Sequence, residues 1–203
     1  MLSVAEVKRL FEAADTKKSR LILKTLYSTG MRVSELTNLK KKDIYFDENE
    51  GRIKRAKGKK ERIFNISDDI KEELKELIEK NPDSEYVFSG PKGKLSDRNI
   101  QKIVKKAAIK AGIQKDVHTH TLRHSFATHL LNEGVDIRKI QTLLGHEKLA
   151  TTEIYTHISN EDLKKINPLD SMAKDKSWKS KRLTEFSEVK GIIPSLESEE
   201  KKD

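Results

Sequence analysis

Four of the six histidines fall within residues 118–129, which read HTHTLRHSFATH and include one arginine. Such a cluster could bind a metal, pack inside the protein or hold a phosphate. Successive residues of an α-helix are separated by about 100°, so His120 and His129 would lie on opposite sides of one helix. His129 falls with the apolar positions of this stretch, which predicts packing. His120 shares the other side with Arg123, about 60° away by the same spacing.

The metal interpretation is disfavoured by geometry. Zinc needs three or four converging ligands, and His118, His120 and His124 would converge only if the helix began late. No glutamate completes an H-E-x-x-H pattern. Arginine offers a planar fork of donors that matches a phosphate, and histidine adds a donor or carries a proton. The pair of His120 and Arg123 therefore predicts a phosphate site with no metal.

Caps and periodicity predict the elements that must position these side chains. Ser3 and Glu6 form a capping box that opens a first helix, which runs to about Ala14. Alternating apolar residues and turn signals between residues 43 and 67 predict three short antiparallel strands. The fold class is therefore mainly α with a small three-stranded antiparallel β-sheet (α+β). Further helices are expected to end near 30, to begin near 32, to span about 67–81, 96–112, 118–134 and 136–145, and to follow 160 after a short turn at 151–157.

Composition narrows the class of protein. The 203 residues carry a net charge of +9 with 37% charged and 34% hydrophobic residues, which fits one domain with a highly charged surface. The absence of cysteine excludes disulfides and cysteine nucleophiles, and suits a reducing compartment. No signal peptide or long apolar run is present, so we expect a cytoplasmic protein without a membrane partner. Apolar periodicity fades near Pro168, which predicts a folded domain at 1–167 and a C-terminal tail at 168–203, flexible or exchanged between subunits.

The basic charge is concentrated in residues 52–62, RIKRAKGKKER, which hold seven basic residues and one acid. The run is centred on the glycine turn between two predicted strands. Such a ribbon can lie against a DNA groove, and each phosphate contact would add to the salt dependence of binding. Lysines that protect a sheet edge from aggregation would give the same pattern. The residues predicted to bind double-stranded DNA are Arg52, Lys54, Arg55, Lys59, Lys60 and Arg62.

Five segments now align in order: TGMRVSEL, AKGKKER, HTLRH, LLGHEKL and TTEIYTH. Together they resemble the catalytic motifs of the tyrosine recombinase (phage integrase) family, most closely the Xer-type recombinases, over about residues 2–165. The resemblance implies the catalytic domain of a DNA breaking-rejoining enzyme. It also implies site-specific recombination through a covalent 3′-phosphotyrosyl intermediate, with no metal, ATP or other cofactor. The matching catalytic residues are Arg32, Lys57, His120, Arg123, His146 and Tyr155.

The resemblance assigns roles that are consistent with the chemistry of each group. Attack on a phosphodiester builds charge on its non-bridging oxygens, which Arg32, Arg123 and His146 would stabilise. Tyr155 is the nucleophile, and its ordinary pKa near 10 requires a base, for which His120 is the candidate. Lys57 would protonate the departing 5′ oxygen, although Ala56 stands where the family usually has glycine. One turn after Arg32, Glu35 would hold its guanidinium by a salt bridge.

The same residues allow three other functions. The scaffold could serve a non-catalytic DNA-binding regulator, a metal-dependent nuclease could use the histidines, and a type IB topoisomerase shares the chemistry. Family members also carry an N-terminal core-binding domain, which we expect to be absent from this chain. The resemblance implies a homotetramer on paired DNA sites, and a monomer or dimer free in solution.

Overall fold

The computed structural model describes residues 1–53, 62–90, 93–145 and 168–169. The elements within 1–53, 62–90 and 93–145 are mostly helical, as the sequence predicts. The α-helices are α1 (Val4–Glu12), α2 (Lys17–Thr29), α3 (Val33–Thr37), α4 (Asp68–Glu79), α5 (Asp97–Lys110), α6 (Thr119–Asn132) and α7 (Ile137–Leu144). The strands are β1 (Ile44–Tyr45), β2 (Glu50–Ile53), β3 (Arg62–Asn65), β4 (Ser89–Gly90) and β5 (Gly93–Lys94), and Lys41–Asp43 form a 3₁₀ turn.

Side-chain caps hold the starts of α1, α5 and α7. The Ser3 hydroxyl accepts a hydrogen bond from the Glu6 N–H (3.2 Å), and the Glu6 carboxylate accepts one from the Ser3 N–H (2.7 Å), which completes the capping box. Ser96 and Asp136 likewise accept backbone N–H groups at the starts of α5 and α7. The helix starts predicted at these positions are therefore confirmed.

The three-stranded sheet has the order β1-β2-β3, and both pairings are antiparallel, which confirms the predicted fold class. Gly51 pairs with Phe64 across β2 and β3. A Cβ at position 51 would lie 2.2 Å from the Phe64 ring, so this position has no room for a side chain. The hairpin of β4 and β5 lies where the sequence indicated only a loop.

The core is built around α2, which contacts α1, α4, α5 and α6. A second apolar cluster joins the end of α6 to α7, with Phe126 and Leu144 among its members. Both of these side chains reach Gly30, the left-handed residue that ends α2 (φ +57°). The end of α2, the middle of α6 and the end of α7 therefore meet at Gly30. None of the helices described has both the length and the apolar composition needed to cross a bilayer.

Candidate active site

Arg32 lies at the turn between α2 and α3. It is the N-cap of α3, and its side chain is 42% exposed. The Glu35 carboxylate binds it twice: one oxygen accepts from the Arg32 backbone N–H (2.8 Å), and the other accepts from the guanidinium (3.0 Å). A carboxylate in the first turn also interacts favourably with the helix dipole. The predicted salt bridge is therefore present, and it holds both the backbone and the side chain of Arg32.

Arg123 projects from α6 toward the same turn. Its guanidinium donates to the Gly30 carbonyl and, at 2.8 Å, to the Leu144 carbonyl at the end of α7. The residue is buried, and these two bonds fix the plane of its guanidinium. His120 lies one turn earlier on α6 and is exposed. Arg123 thus bonds to Gly30, which lies two residues before Arg32, although 91 positions separate Arg123 from Arg32 in the sequence.

The sequence predicted that Arg62 contacts DNA, but in the structure its side chain is buried. Its side chain is only 5% exposed, and its guanidinium donates to Glu35 (2.8 Å) and to the Leu143 carbonyl. A buried guanidinium engaged in this way cannot lie on a DNA-facing surface. The charge run in the sequence looks uniformly solvated, but Arg62 lies two residues before Phe64, on the same face of β3, and both are buried. That two-residue period was the signal that could have placed Arg62 inside.

The Glu35 carboxylate forms ion pairs with both Arg32 and Arg62. Burial by itself raises the pKa of the Glu35 carboxyl, but the charge and hydrogen bond of Arg62, together with the contacts of Arg32, outweigh it and hold the pKa below its ordinary value. Glu35 is therefore ionised at neutral pH. With Arg32, Arg62 and Arg123, the assembly combines three guanidinium groups and one carboxylate. Of the three, Arg32 has the exposed side chain, and it is the guanidinium that an anion can reach.

His129 lies on the opposite side of α6 and packs in the interior, as its position predicted. Its Nε2 faces the Leu2 carbonyl (3.0 Å), so this nitrogen carries the proton, and its Nδ1 accepts from the Tyr27 hydroxyl (2.8 Å). Burial lowers the pKa of His129, which keeps the ring neutral. Across 1–53, 62–90, 93–145 and 168–169, no three histidine, cysteine or acidic side chains converge as metal ligands would.

The structure describes Arg52 and Arg62, the first and last residues of the basic run 52–62. Arg52 is half-buried, with its guanidinium 4.6 Å from the centroid of the Tyr45 ring and 3.5 Å from the Glu50 carboxylate. It lies on β2, the central strand of the sheet, and its side chain is 42% exposed. The remaining predicted residues lie outside the described part of the chain: Lys54, Arg55, Lys57, Lys59, Lys60, His146 and Tyr155, with the turn at 151–157 and the helix after 160.

Comparison with known proteins gives concordant matches. The sequence model described as "Phage integrase family" matches residues 1–162. Tyrosine recombinase XerA of Thermococcus kodakarensis is 46% identical over 171 residues, which cover 81% of this chain and 60% of the relative. The chain thus spans about three fifths of the length of the curated relatives it matches first.

Solved structures agree with the sequence matches. The crystal structure of XerA recombinase superposes with a TM-score of 0.69 at 36% identity, covering 87% of this chain and 63% of that one. XerH site-specific recombinase, in a pre-cleavage complex with its difH substrate, gives a TM-score of 0.65 at 29% identity, with coverages of 85% and 53%.

Proposed function

The chain belongs to the phage integrase (tyrosine recombinase) family, and from this premise we propose that it is a site-specific DNA recombinase. It cleaves and rejoins DNA through a covalent 3′-phosphotyrosyl intermediate and uses no metal or ATP. Its catalytic domain comprises residues 1–167, followed by the C-terminal segment 168–203. Its relatives support this proposal, since XerH was solved on a DNA substrate before cleavage.

The link from Arg123 to Gly30 is the observation that carries the proposal. A metal-free phosphoryl transfer needs fixed cations around one phosphate, because charge develops on the non-bridging oxygens. Arg32 and Arg123 come from motifs far apart in sequence, and the Gly30 turn joins them. Glu35 holds Arg32 by two hydrogen bonds, so this cation is oriented before any DNA binds.

The proposed reaction conserves the number of phosphoester bonds. The Tyr155 oxygen attacks the phosphorus while the bond to the 5′ oxygen breaks. The phenolic proton passes to His120, which is exposed on α6, and Lys57 supplies a proton to the departing 5′ oxygen. His146 stabilises the same phosphate beside Arg32 and Arg123. A 5′-hydroxyl of a partner strand then attacks the phosphotyrosine in the reverse step, so no external energy source is needed.

Double-stranded DNA is the proposed partner, and the chain would act as a homotetramer on paired sites. Arg52 on β2, with the ribbon residues Lys54, Arg55, Lys59 and Lys60, would contact phosphates. Recombination of chromosomal or mobile DNA would take place in the cytoplasm. A DNA-binding regulator on the same scaffold remains the second candidate, and the experiment below separates the two.

A covalent-adduct assay tests this function. The protein is incubated in EDTA with nicked suicide duplexes whose binding arms are randomised, and SDS-stable protein–DNA adducts are recovered and sequenced. We expect an adduct enriched in one site for the parent, none for Tyr155→Phe, and parental yield for the control Tyr86→Phe, which removes a hydroxyl from a half-buried ring near β4.

Each other outcome points to a different function. Sequence-selective binding without an adduct indicates the regulator. Cleavage that EDTA abolishes indicates a metal-dependent nuclease, and adducts without site enrichment indicate a type IB topoisomerase. An adduct formed equally by Tyr155→Phe would refute the assignment of the nucleophile.

A further inference from the structure

The C-terminus of α7 is held by two arginines from other elements. The last carbonyls of a helix have no partner within the helix. Here Arg62, the first residue of β3, donates to the Leu143 carbonyl, and Arg123 of α6 donates to the Leu144 carbonyl at 2.8 Å. Positive charge at this end is also favoured by the helix dipole. Gly145 then ends the helix in the left-handed conformation (φ +65°), and His146 is the next residue.

Both arginines extend from α7 to the turn that carries Arg32. Arg123 donates to the Gly30 carbonyl. Arg62 donates to Glu35 at 2.8 Å, and the same carboxylate oxygen accepts the Arg32 backbone N–H at 2.8 Å. Arg62 therefore stands between the carboxylate that orients Arg32 and the helix end that precedes His146.

We propose that Arg62 is a positioning residue that sets the place of Arg32 relative to the start of the segment carrying His146, without touching DNA. Its catalytic consequence rests on the proposed function. Arg62 is also the first residue of β3 and the last residue of the basic run 52–62. Its side chain therefore links β3 to Glu35 of α3 and to the end of α7. Arg62 contacts both Glu35 and Leu143, and it is not one of the six residues matched to the family motifs.

The chemistry of the contact explains why the residue is arginine. Its two acceptors are a carboxylate and a backbone carbonyl on different elements, and a planar guanidinium can serve both at once. A lysine ammonium on a flexible stem can approach one or the other, but it does not fix the angle between them. Breaking a buried ion pair also leaves an uncompensated charge, so Glu35 would turn toward other partners.

The test compares Arg62→Met and Arg62→Lys with the control Lys24→Met. Lys24 is a buried cation of α2, six residues before Gly30, that pairs with Glu73 of α4 at 2.7 Å, so its loss reports the general cost of removing such a pair. DNA affinity is measured first on a duplex recovered by the adduct assay. Cleavage is then followed under single-turnover conditions with enzyme in excess, at a temperature where each variant is folded.

We expect parental DNA affinity for all three variants. The cleavage rate should fall about 100-fold for Arg62→Met, because displacements near 1 Å cost that much, and should stay parental for Lys24→Met. Arg62→Lys should lie between them. A loss of DNA affinity in both Arg62 variants would make Arg62 a DNA contact and overturn the proposal. Parental cleavage by Arg62→Met would overturn it as well.

Amide hydrogen exchange supplies a readout that does not depend on catalysis. In Arg62→Met, exchange should accelerate at the Arg32 amide, which Glu35 binds, and at the Gly145 amide at the end of α7, and Lys24→Met should leave both unchanged. Unchanged exchange in Arg62→Met would refute the coupling. If the parent protein forms no adduct, the recombinase function fails while the exchange result still decides whether Arg62 couples the two elements.

Discussion

Gly30 provides a stability prediction whose magnitude follows from the geometry. Its φ of +57° costs an L-residue about 1–2 kcal/mol. A Cβ there would also lie 2.7 Å from Phe126 Cδ1 and 2.8 Å from Leu144 Cδ2, both in a packed cluster. Overpacking of this kind typically costs about 1–3 kcal/mol. Gly30→Ala should therefore lower the free energy of unfolding by about 2–5 kcal/mol.

Gly112 is the matched control for this substitution. It ends α5 with a similar φ of +63°, but a Cβ there would meet no atom within 4 Å. Gly112→Ala should cost only the backbone strain, about 1–2 kcal/mol. The gain from a less flexible unfolded chain applies equally to both variants and cancels in their difference.

Urea denaturation followed by far-UV circular dichroism measures both variants. With a slope of about 2 kcal/mol per molar, Gly30→Ala should unfold about 0.5–1.5 M below Gly112→Ala. Equal midpoints for the two variants would refute the reasoning, because they would mean that α6 and α7 do not press on Gly30. An altered slope would point instead to a changed unfolded state.

Two further predictions concern a buried histidine and the proposed acid. Burial lowers the pKa of His129 in the folded state, so its contribution to stability is complete above the unfolded pKa of about 6.5 and is lost as the pH falls toward the lower folded value. His129→Gln should therefore make the urea midpoint depend less on pH across this interval, and an unchanged dependence would contradict it. For Lys57, a 5′-bridging phosphorothiolate should restore cleavage to Lys57→Ala but not to Arg32→Ala, because a thiol with a pKa of about 8.5 leaves without protonation. Equal restoration of both variants would remove Lys57 from the role of acid.

Local rules predicted the elements well because each signal lies within a few residues. The capping box of Ser3 and Glu6, the serine before α5 and the glycines after α2 and α7 each satisfy a backbone need in their own turn. The β4–β5 hairpin was not predicted, since strands of two residues are too short to establish an alternating pattern. The pairing of β4 with β5 is therefore visible only in the folded structure.

Positions along one helix were predictable from the sequence, whereas contacts between distant elements were not. The spacing of His120 and His129 separated an exposed position of α6 from a packed one, and the structure has that arrangement. Arg123, which was expected beside His120, is instead buried, with its guanidinium on the Gly30 and Leu144 carbonyls. The contacts of Arg62 were not predictable from the charge run, because its partners come from α3 and α7, far along the chain. Only the fold shows that Arg62 is withdrawn from the surface, whereas Arg52, the other member of the run that the structure describes, is 42% exposed.

The burial of the Arg62–Glu35 pair has a consequence for how the protein responds to ionic strength. Exposed charges are screened within about 8 Å at physiological salt, whereas a pair with side chains 5% and 11% exposed is shielded from the counterions. Under the proposed function, raising the salt concentration should therefore release the protein from DNA while the arrangement around Arg32 persists. Association with DNA and the internal order of the site are in this way governed by different variables, and a complex already formed should cleave at a rate nearly independent of added salt.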